Sequence, residues 1–416
     1  MFRFLCLLLS LTAPLLSAAQ PTFVANYDES KVGSYPLPDP LMPPNGARIT
    51  SAKAWEASRG YWLNQFAAHV YGQTPTRPVR LRFQPGEVVP SALGGKATRK
   101  QVAIYFADYP ALPPINVLIY VPNNARKAAP AFLNLNFCGN HCISTEADLP
   151  LSDRWVASTA DNHRATEKSR GAQARRWPLD TIVARGYAIV TAYYGDIEPD
   201  HPAGWKTGIR SVLGDTTRTD NWGAIGAWAW GMSRILDYLQ TDPTIDAKRV
   251  IAMGHSRIGK AALWAAAQDK RFVAAISNEA GEGGASLARR TYGETVGRLN
   301  YAFPHWFARQ YRSYNENVPA LPVDQHILLS LIATRPLYVA SAEEDRWSDP
   351  RGEFLSAKAT EPVYGLYRKT GLGPAEYPAV NTSVGKNVRY HVRTGPHDVQ
   401  PFDWWQYLNF ADALVK

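Results

Sequence analysis

Val250-Ile251-Ala252-Met253-Gly254-His255-Ser256-Arg257-Ile258-Gly259-Lys260-Ala261-Ala262 decides the fold of this chain. An apolar run reads as a buried strand, an alanine-rich run reads as a helix, and Gly-x-Ser-x-x-Gly joins them. A serine in such a strand-to-helix turn is held in a strained conformation with its hydroxyl exposed, so its neighbours must be small. Gly254 lets the backbone turn tightly, and Gly259 lets the helix lie close to the next strand. The free N–H groups of the helix N-terminus face the place where an oxyanion would form. Ile258 occupies the position at which the usual five-residue motif has its second glycine, so the motif is stretched here. Ser256 is the candidate nucleophile.

Working outward, strand and helix signals alternate. Residues 101–106 and 115–121 read as a hairpin-like pair, and 131–136, 187–192, 249–253, 272–277, 337–341 and 388–392 as further strands. Helical spacing appears at 53–70, 222–240, from Ser256 through Gln268, and at 403–415. Such alternation predicts a mostly parallel sheet covered by helices on both faces, an α/β-hydrolase fold, in one domain over 20–416. Residues 143–180 and 280–335 carry no clear strand. They read as insertions over the carboxyl ends of the strands, where such folds bind ligands. Residues 20–50, rich in Pro, Gly, Asn and Asp, read as an extended lead-in wrapping the surface.

That fold orders its machinery along the chain as serine, acid, histidine. His397 fits, in the loop Thr394-Gly395-Pro396-His397-Asp398 just before the last helix. His391 lies inside a strand pattern and reads as structural. His255 is expected to point away from the serine beside it. For the acid, Glu279 and Asp345 both follow strands, and either could orient His397. Spacing alone does not choose between them.

The 416 residues are 45% hydrophobic and 19% charged, an ordinary globular mix with no call for disorder beyond the lead-in. The net charge of +9 fits a basic secreted protein or attraction to an acidic substrate. Nucleic acid is a poor partner: no Lys/Arg run reaches five residues, and no helix-turn-helix or zinc-finger spacing appears. Arg3, an apolar stretch from Phe4 to Leu16 and Ser17-Ala18-Ala19 read as a signal peptide over 1–19, so a secreted or periplasmic location is expected. No stretch is long enough to span a membrane. After cleavage Cys138 and Cys142 remain, able to form a small-loop disulfide or to stay as separate buried thiols. With His141 between them they still lack a fourth metal ligand, so no metal is expected. The 13 Trp and 21 Tyr exceed what a core needs, and fit either a sugar-binding surface or scattered packing.

Gly254-His255-Ser256-Arg257-Ile258-Gly259-Lys260 resembles the G-x-S-R-x-G-K signature of glucuronoyl esterases, carbohydrate esterase family 15, in its bacterial branch. Asn136-Phe137-Cys138-Gly139-Asn140-His141, Arg170-Gly171-Ala172-Gln173 with Trp177-Pro178, and Tyr193-Tyr194-Gly195-Asp196 with Pro199-Asp200 are similar too. So are Asn278-Glu279-Ala280-Gly281 and Glu344-Asp345-Arg346-Trp347. The resemblance spans roughly residues 45–415. Cys138 departs from the glycine expected at its position.

The resemblance implies a serine esterase acting at the C6 carboxyl of glucuronic or 4-O-methylglucuronic acid, in links between xylan and lignin alcohols. It implies Glu279 as principal acid, with Asp345 supporting or sharing that role. Arg257 would serve the oxyanion through its N–H and its guanidinium, and Lys260, Glu294 and Trp347 would contact sugar. Lys260 lies one helical turn beyond Ser256, so it is expected to face the same pocket. The Trp347 indole N–H is expected to serve a ring hydroxyl. Read without the resemblance, these are a snorkelling lysine, a rim glutamate and a packed tryptophan. No cofactor is implied, and a monomer is expected. The alternatives are an esterase of acetylated or feruloylated xylan, and a catalytically silent carbohydrate-binding protein of the same fold.

Overall fold

The computed structural model describes residues 23–44, 46–158 and 161–415; the leader reading of 1–19 lies outside them. The strands are β1 (Leu81–Ser91), β2 (Ala97–Phe106), β3 (Ile115–Pro122), β4 (Ala129–Asn134) and β5 (Ala188–Ala192). They continue with β6 (Ile245–His255), β7 (Ala274–Asn278), β8 (Leu337–Ala342), β9 (Thr382–Gly385) and β10 (Val388–Arg393). All belong to one sheet in the order β1-β2-β3-β5-β4-β6-β7-β8-β10-β9. From β5 to β10 every neighbour is parallel, while β1, β2, β3 and β9 add antiparallel margins.

The pleat sorts residues between two cores. Leu133, Val250 and Ala252 face one side, where they meet Trp55 and Trp62 of α1 (Ala52–Phe66), α2 (Ala224–Leu239) and α3 (Arg257–Gln268). Phe132, Ile251 and Met253 face the other, under Trp404, Tyr407 and Leu408 of α4 (Pro401–Val415). Alternate side chains of a strand point to opposite faces, and here both faces are apolar because helices cover both. Trp55, Trp62, Trp222, Trp228, Trp264 and Trp404 are fully buried, so much of the aromatic surplus is core rather than sugar-binding surface.

The sheet departs from expectation at its margins. β1 has Pro85, Gly86 and Pro90 within it and a register shift between Pro85 and Val88, which conceals a strand that tolerates them only at an edge. β9 is an edge strand of four residues. The 101–106 strand begins earlier, at Ala97, and α4 begins at Pro401, where proline suits the first turn. α1 ends sooner than expected, and the chain continues as a π-helical turn over Ala67–Tyr71. Among the described residues no helix is long and apolar enough to cross a membrane.

Candidate active site

The carboxyl ends of four parallel strands converge. β6 delivers the chain into an elbow where Ser256 adopts φ 56° and ψ −130°. Its N–H donates to the carbonyl of Asn278 at the end of β7, at 2.9 Å. A Cβ on Gly254 would stand 2.2 Å from the carbonyl oxygen of Ile258, and one on Gly259 would stand 3.1 Å from Cβ of Ala280. Both glycines are therefore demanded by close approach, as the motif predicts. Helix α3 starts at Arg257 and turns its first N–H groups toward the elbow.

Glu279 follows β7 with φ 49°, its N–H bound to the carbonyl of Ala340 in β8 at 2.7 Å. Asp345 follows β8, and His397 follows β10. Nδ1 of His397 lies 2.6 Å from Oδ2 of Asp345, to which it donates, and 3.1 Å from Oε2 of Glu279. Both candidate acids thus reach one ring nitrogen. Their environments differ. Glu279 is fully buried and also accepts from Arg393 Nη2 at 2.6 Å and from the N–H of Asp398 at 2.8 Å. Burial pushes its carboxyl up to about 7, against the pull of His397 and Arg393. Burial also acts on Asp345, but the bond from His397 outweighs it and holds this carboxyl below its ordinary value. For His397 burial favours the neutral ring, but the two acids outweigh it and raise the imidazole to about 10.

His255 does not turn away from the site. Its ring packs 4.5 Å from that of His397, centroid to centroid. The positive φ of Ser256 turns the chain sharply there, so a residue beside the serine can still border the site. Nδ1 of His255 lies 2.6 Å from Oδ1 of Asn278, and burial and the neighbouring His397 keep the ring neutral. His391 is structural, as read: it is buried between Tyr338 and Asp403. Among the described residues, ligand-type atoms of His255, Glu279 and His397 lie within 4.8 Å of one another. Both Glu279 oxygens and one nitrogen of each histidine are already bonded within the protein, which makes the cluster a poor metal cradle. Cys138 and Cys142 are joined as a disulfide, and the His141 ring between them bonds Ser169 Oγ at 2.8 Å.

Arg257 pairs with the buried Asp200 and stacks its guanidinium 4.7 Å from the Trp306 ring centroid. Its Nε is buried without a partner. Asp200 also accepts from His305 Nε2 and Trp306 Nε1, both at 2.7 Å. A cavity of about 250 Å³ opens beside Arg257, with Phe137, Val156, Gln173 and Tyr194 on its walls.

Lys260 corrects the expectation of a pocket-facing cation. Its ammonium is buried and bonds the carbonyls of Ala280 (2.5 Å) and Glu282 and the Glu294 carboxylate (3.0 Å). An ammonium has three hydrogens, so protein acceptors use them all. Glu294 in turn accepts from the Glu282 N–H at 2.9 Å and the Trp347 indole at 2.8 Å. The Trp347 N–H is therefore taken, not free for a ring hydroxyl. The structure does bring Lys260, Glu294 and Trp347 together, as one buried chain of bonds.

Sequence reading missed two organisers. Arg393 lies wholly buried and bonds Glu279, Asp403 and the carbonyls of Thr394, Pro396 and Asp398. Strand alternation puts it on the face of His391, and both meet Asp403, a signal present in the pattern. Asp200 was part of a quoted motif without a role; its partners His305 and Trp306 lie about a hundred residues away, beyond the reach of spacing.

A serine elbow, a histidine and two acids on the carboxyl ends of parallel strands define an α/β-hydrolase. The sequence profile of the glucuronyl esterases of fungi matches residues 216–367. A carbohydrate esterase from an unknown prokaryotic organism is 43% identical over 93% of this chain and 91% of its own. Among solved structures, a glucuronoyl esterase from Solibacter usitatus is 47% identical, with TM-score 0.89, covering 93% of this chain and all of its own (100%). A promiscuous CE15 esterase from a marine bacterial metagenome is 43% identical, with TM-score 0.88, over 94% of this chain and 100% of its own. The chain belongs to carbohydrate esterase family 15, the glucuronoyl esterases.

Proposed function

We propose that this enzyme hydrolyses esters of glucuronic or 4-O-methylglucuronic acid, including those joining glucuronoxylan to lignin alcohols, through a glucuronoyl-serine intermediate. The observation that carries the reading is His397, held by Asp345 and Glu279 and packed against the residue preceding Ser256. The names of the relatives supply the substrate class: a curated fungal relative from Wolfiporia cocos, 27% identical over 85% of this chain, is a 4-O-methyl-glucuronoyl methylesterase.

In this mechanism Ser256 Oγ attacks the C6 carbonyl while His397 takes its proton. The imidazolium so formed faces Asp345 and Glu279, whose negative charge stabilises it. The developing oxyanion is met by the first N–H groups of α3 and by the Arg257 guanidinium, which Asp200 and Trp306 hold in place. His397 then protonates the leaving alcohol, and water, activated by the same ring, releases the acid. Lys260, Glu294 and Trp347 shape the acyl side as a connected wall. The leader pattern in 1–19 and the Cys138–Cys142 disulfide support work outside the cytoplasm.

The test is an ester panel of benzyl glucuronate, methyl galacturonate, acetylated xylan and feruloylated xylan. Glucuronate esters should be turned over best. Ser256→Ala and His397→Ala should each lose on the order of 10⁴-fold or more in kcat while keeping the fold, because such residues act as a unit. Wild-type-like rates in either variant would overturn the roles, and a preference for acetyl or feruloyl esters would overturn the substrate class.

A further inference from the structure

Away from the ester site, a cleft of about 190 Å³ lies between the 3-10 turn Gly204–Lys206 and the 3-10 helix Arg309–Tyr314. At about 30 Å³ per water this is room for roughly six waters, or a carboxylate with part of a pyranose ring. Arg309 and Arg312 stand on one wall. Positions i and i+3 of a 3-10 helix eclipse, so the two guanidinium groups rise from the same side. Both are exposed, yet neither is loose. Nη2 of Arg309 donates to the carbonyls of Thr217 and Arg218, both at 3.0 Å, and Nη2 of Arg312 to that of Pro304 at 2.9 Å. Among the described residues neither has a carboxylate within ion-pair distance, and no Asp or Glu lines the cleft.

Trp205 also lines the cleft, half-buried, with Lys206 Nζ 6.0 Å from its ring centroid, and an indole is the kind of surface on which a pyranose ring stacks. The floor is formed by Arg210, Trp222 and His305, each more than nine-tenths buried. Each has one nitrogen without a partner: Arg210 Nη2, Trp222 Nε1 and His305 Nδ1. Buried donors are normally satisfied, so the unpartnered Arg210 Nη2 and Trp222 Nε1 beside two arginines without a carboxylate mark a place suited to acceptor oxygens. His305 gives its Nε2–H to Asp200, so Nδ1 of the neutral ring is an acceptor and suits a sugar hydroxyl. A planar guanidinium pair anchored on main-chain carbonyls is pre-organised for a carboxylate.

We propose that this cleft is a second carbohydrate subsite, which takes a hexuronic acid residue with a free carboxylate. The carboxylate lies between Arg309 and Arg312, and the ring lies against Trp205. The site is not isolated from the ester chemistry. The opposite ring nitrogen of His305 bonds Asp200, and Asp200 holds Arg257 beside Ser256. A polysaccharide bearing several uronates would thus occupy both places at once. That polymer rests on the esterase reading, whereas binding of the free sugar acid does not.

The experiment uses ¹⁵N-labelled Ser256→Ala enzyme and follows tryptophan indole resonances, with those of Trp205 and Trp347 assigned through W205F and W347F. Free glucuronate, glucose and inorganic phosphate are titrated in turn. Glucuronate should shift the Trp205 indole saturably, glucose should not, and phosphate should act more weakly than glucuronate. The double variant R309Q/R312Q should weaken the glucuronate effect at Trp205 at least tenfold, with the remaining indole resonances in place to show an intact fold. A shift confined to Trp347 would place glucuronate only at the ester site and overturn the proposal. So would an equal response to glucose, a phosphate response as strong as that to glucuronate, or indifference to R309Q/R312Q. No ester is turned over, so failure of the esterase reading leaves this outcome unaffected.

Discussion

Two carboxylates address a single imidazole nitrogen, and they are not equivalent. Asp345 makes the shorter contact with Nδ1 of His397 and is held in its charged form, while Glu279 lies farther off and also serves Arg393 and the main chain of Asp398. Against the expectation of Glu279 as principal acid, the geometry gives Asp345 the larger share of the proton-bond work and Glu279 the larger share of holding the histidine loop. Asp345→Asn and Glu279→Gln are each expected to lower kcat by about 10²-fold, with Asp345→Asn at least as severe. The double variant should approach the ~10⁴-fold loss typical when a triad acid is neutralised outright. The pH dependence has a definite sign. His397 must be neutral to act as base, and its partners raise it to about 10 from an ordinary 6.5. Wild-type kcat/KM should keep rising with pH well into the alkaline range. Removing either acid removes support for the imidazolium, so the rise should move to lower pH as the plateau falls. A profile of kcat/KM against pH for the four proteins checks both statements, and an unmoved limb in Asp345→Asn would contradict the second.

At the scale of elements, the loop after β7 is tied to α3 by the buried ammonium of Lys260, with carbonyls of Ala280 and Glu282 and the Glu294 carboxylate around it. Lys260→Met would strip a buried carboxylate of its partner, which costs about 3–5 kcal/mol when one member of a buried pair is removed. Because this loop starts at Glu279, kcat/KM is expected to fall for p-nitrophenyl acetate as well as for benzyl glucuronate, with a lower Tm. A loss confined to the glucuronate ester would instead show Lys260 reaching the sugar. The same elements show what sequence can reveal. The parallel strands around Ser256 were legible because they are short apolar runs between turn signals, and the elbow because its glycines have no steric alternative. β1 was not, since its prolines are acceptable only at an edge, and edge position is a property of the assembled sheet. His397 was legible through chain order. The involvement of both acids was not, because spacing says which residues end strands but not how far each side chain extends across the sheet.

At the scale of the molecule, the lead-in crosses more than 250 residues of sequence to brace the loops that carry Glu294 and Trp347. Main-chain oxygens of Asn26 and Tyr27 meet Gly293, Tyr292 and Arg346, and Glu29 pairs with Arg290 at 2.7 Å. Phe23 packs edge-on against Trp347 at 5.9 Å. Deleting residues 23–31 should therefore reach the ester site without touching it. Losing support worth about 1.4 kcal/mol would raise KM for benzyl glucuronate about tenfold with little change in kcat, and steady-state kinetics of the truncated chain decide it. An unchanged KM would make the strap a matter of stability alone.

Ser256 and Glu279, just past the ends of adjoining strands, both sit at positive φ, where a side chain costs about 1–2 kcal/mol that glycine would not incur. The enzyme is thus locally at odds with its own durability at the two positions its chemistry needs. A lineage selected only to persist, with no demand for turnover, would drift toward glycine at both and become sturdier as it fell silent. A serine and a glutamate at those two positions are explained by chemistry, not by stability.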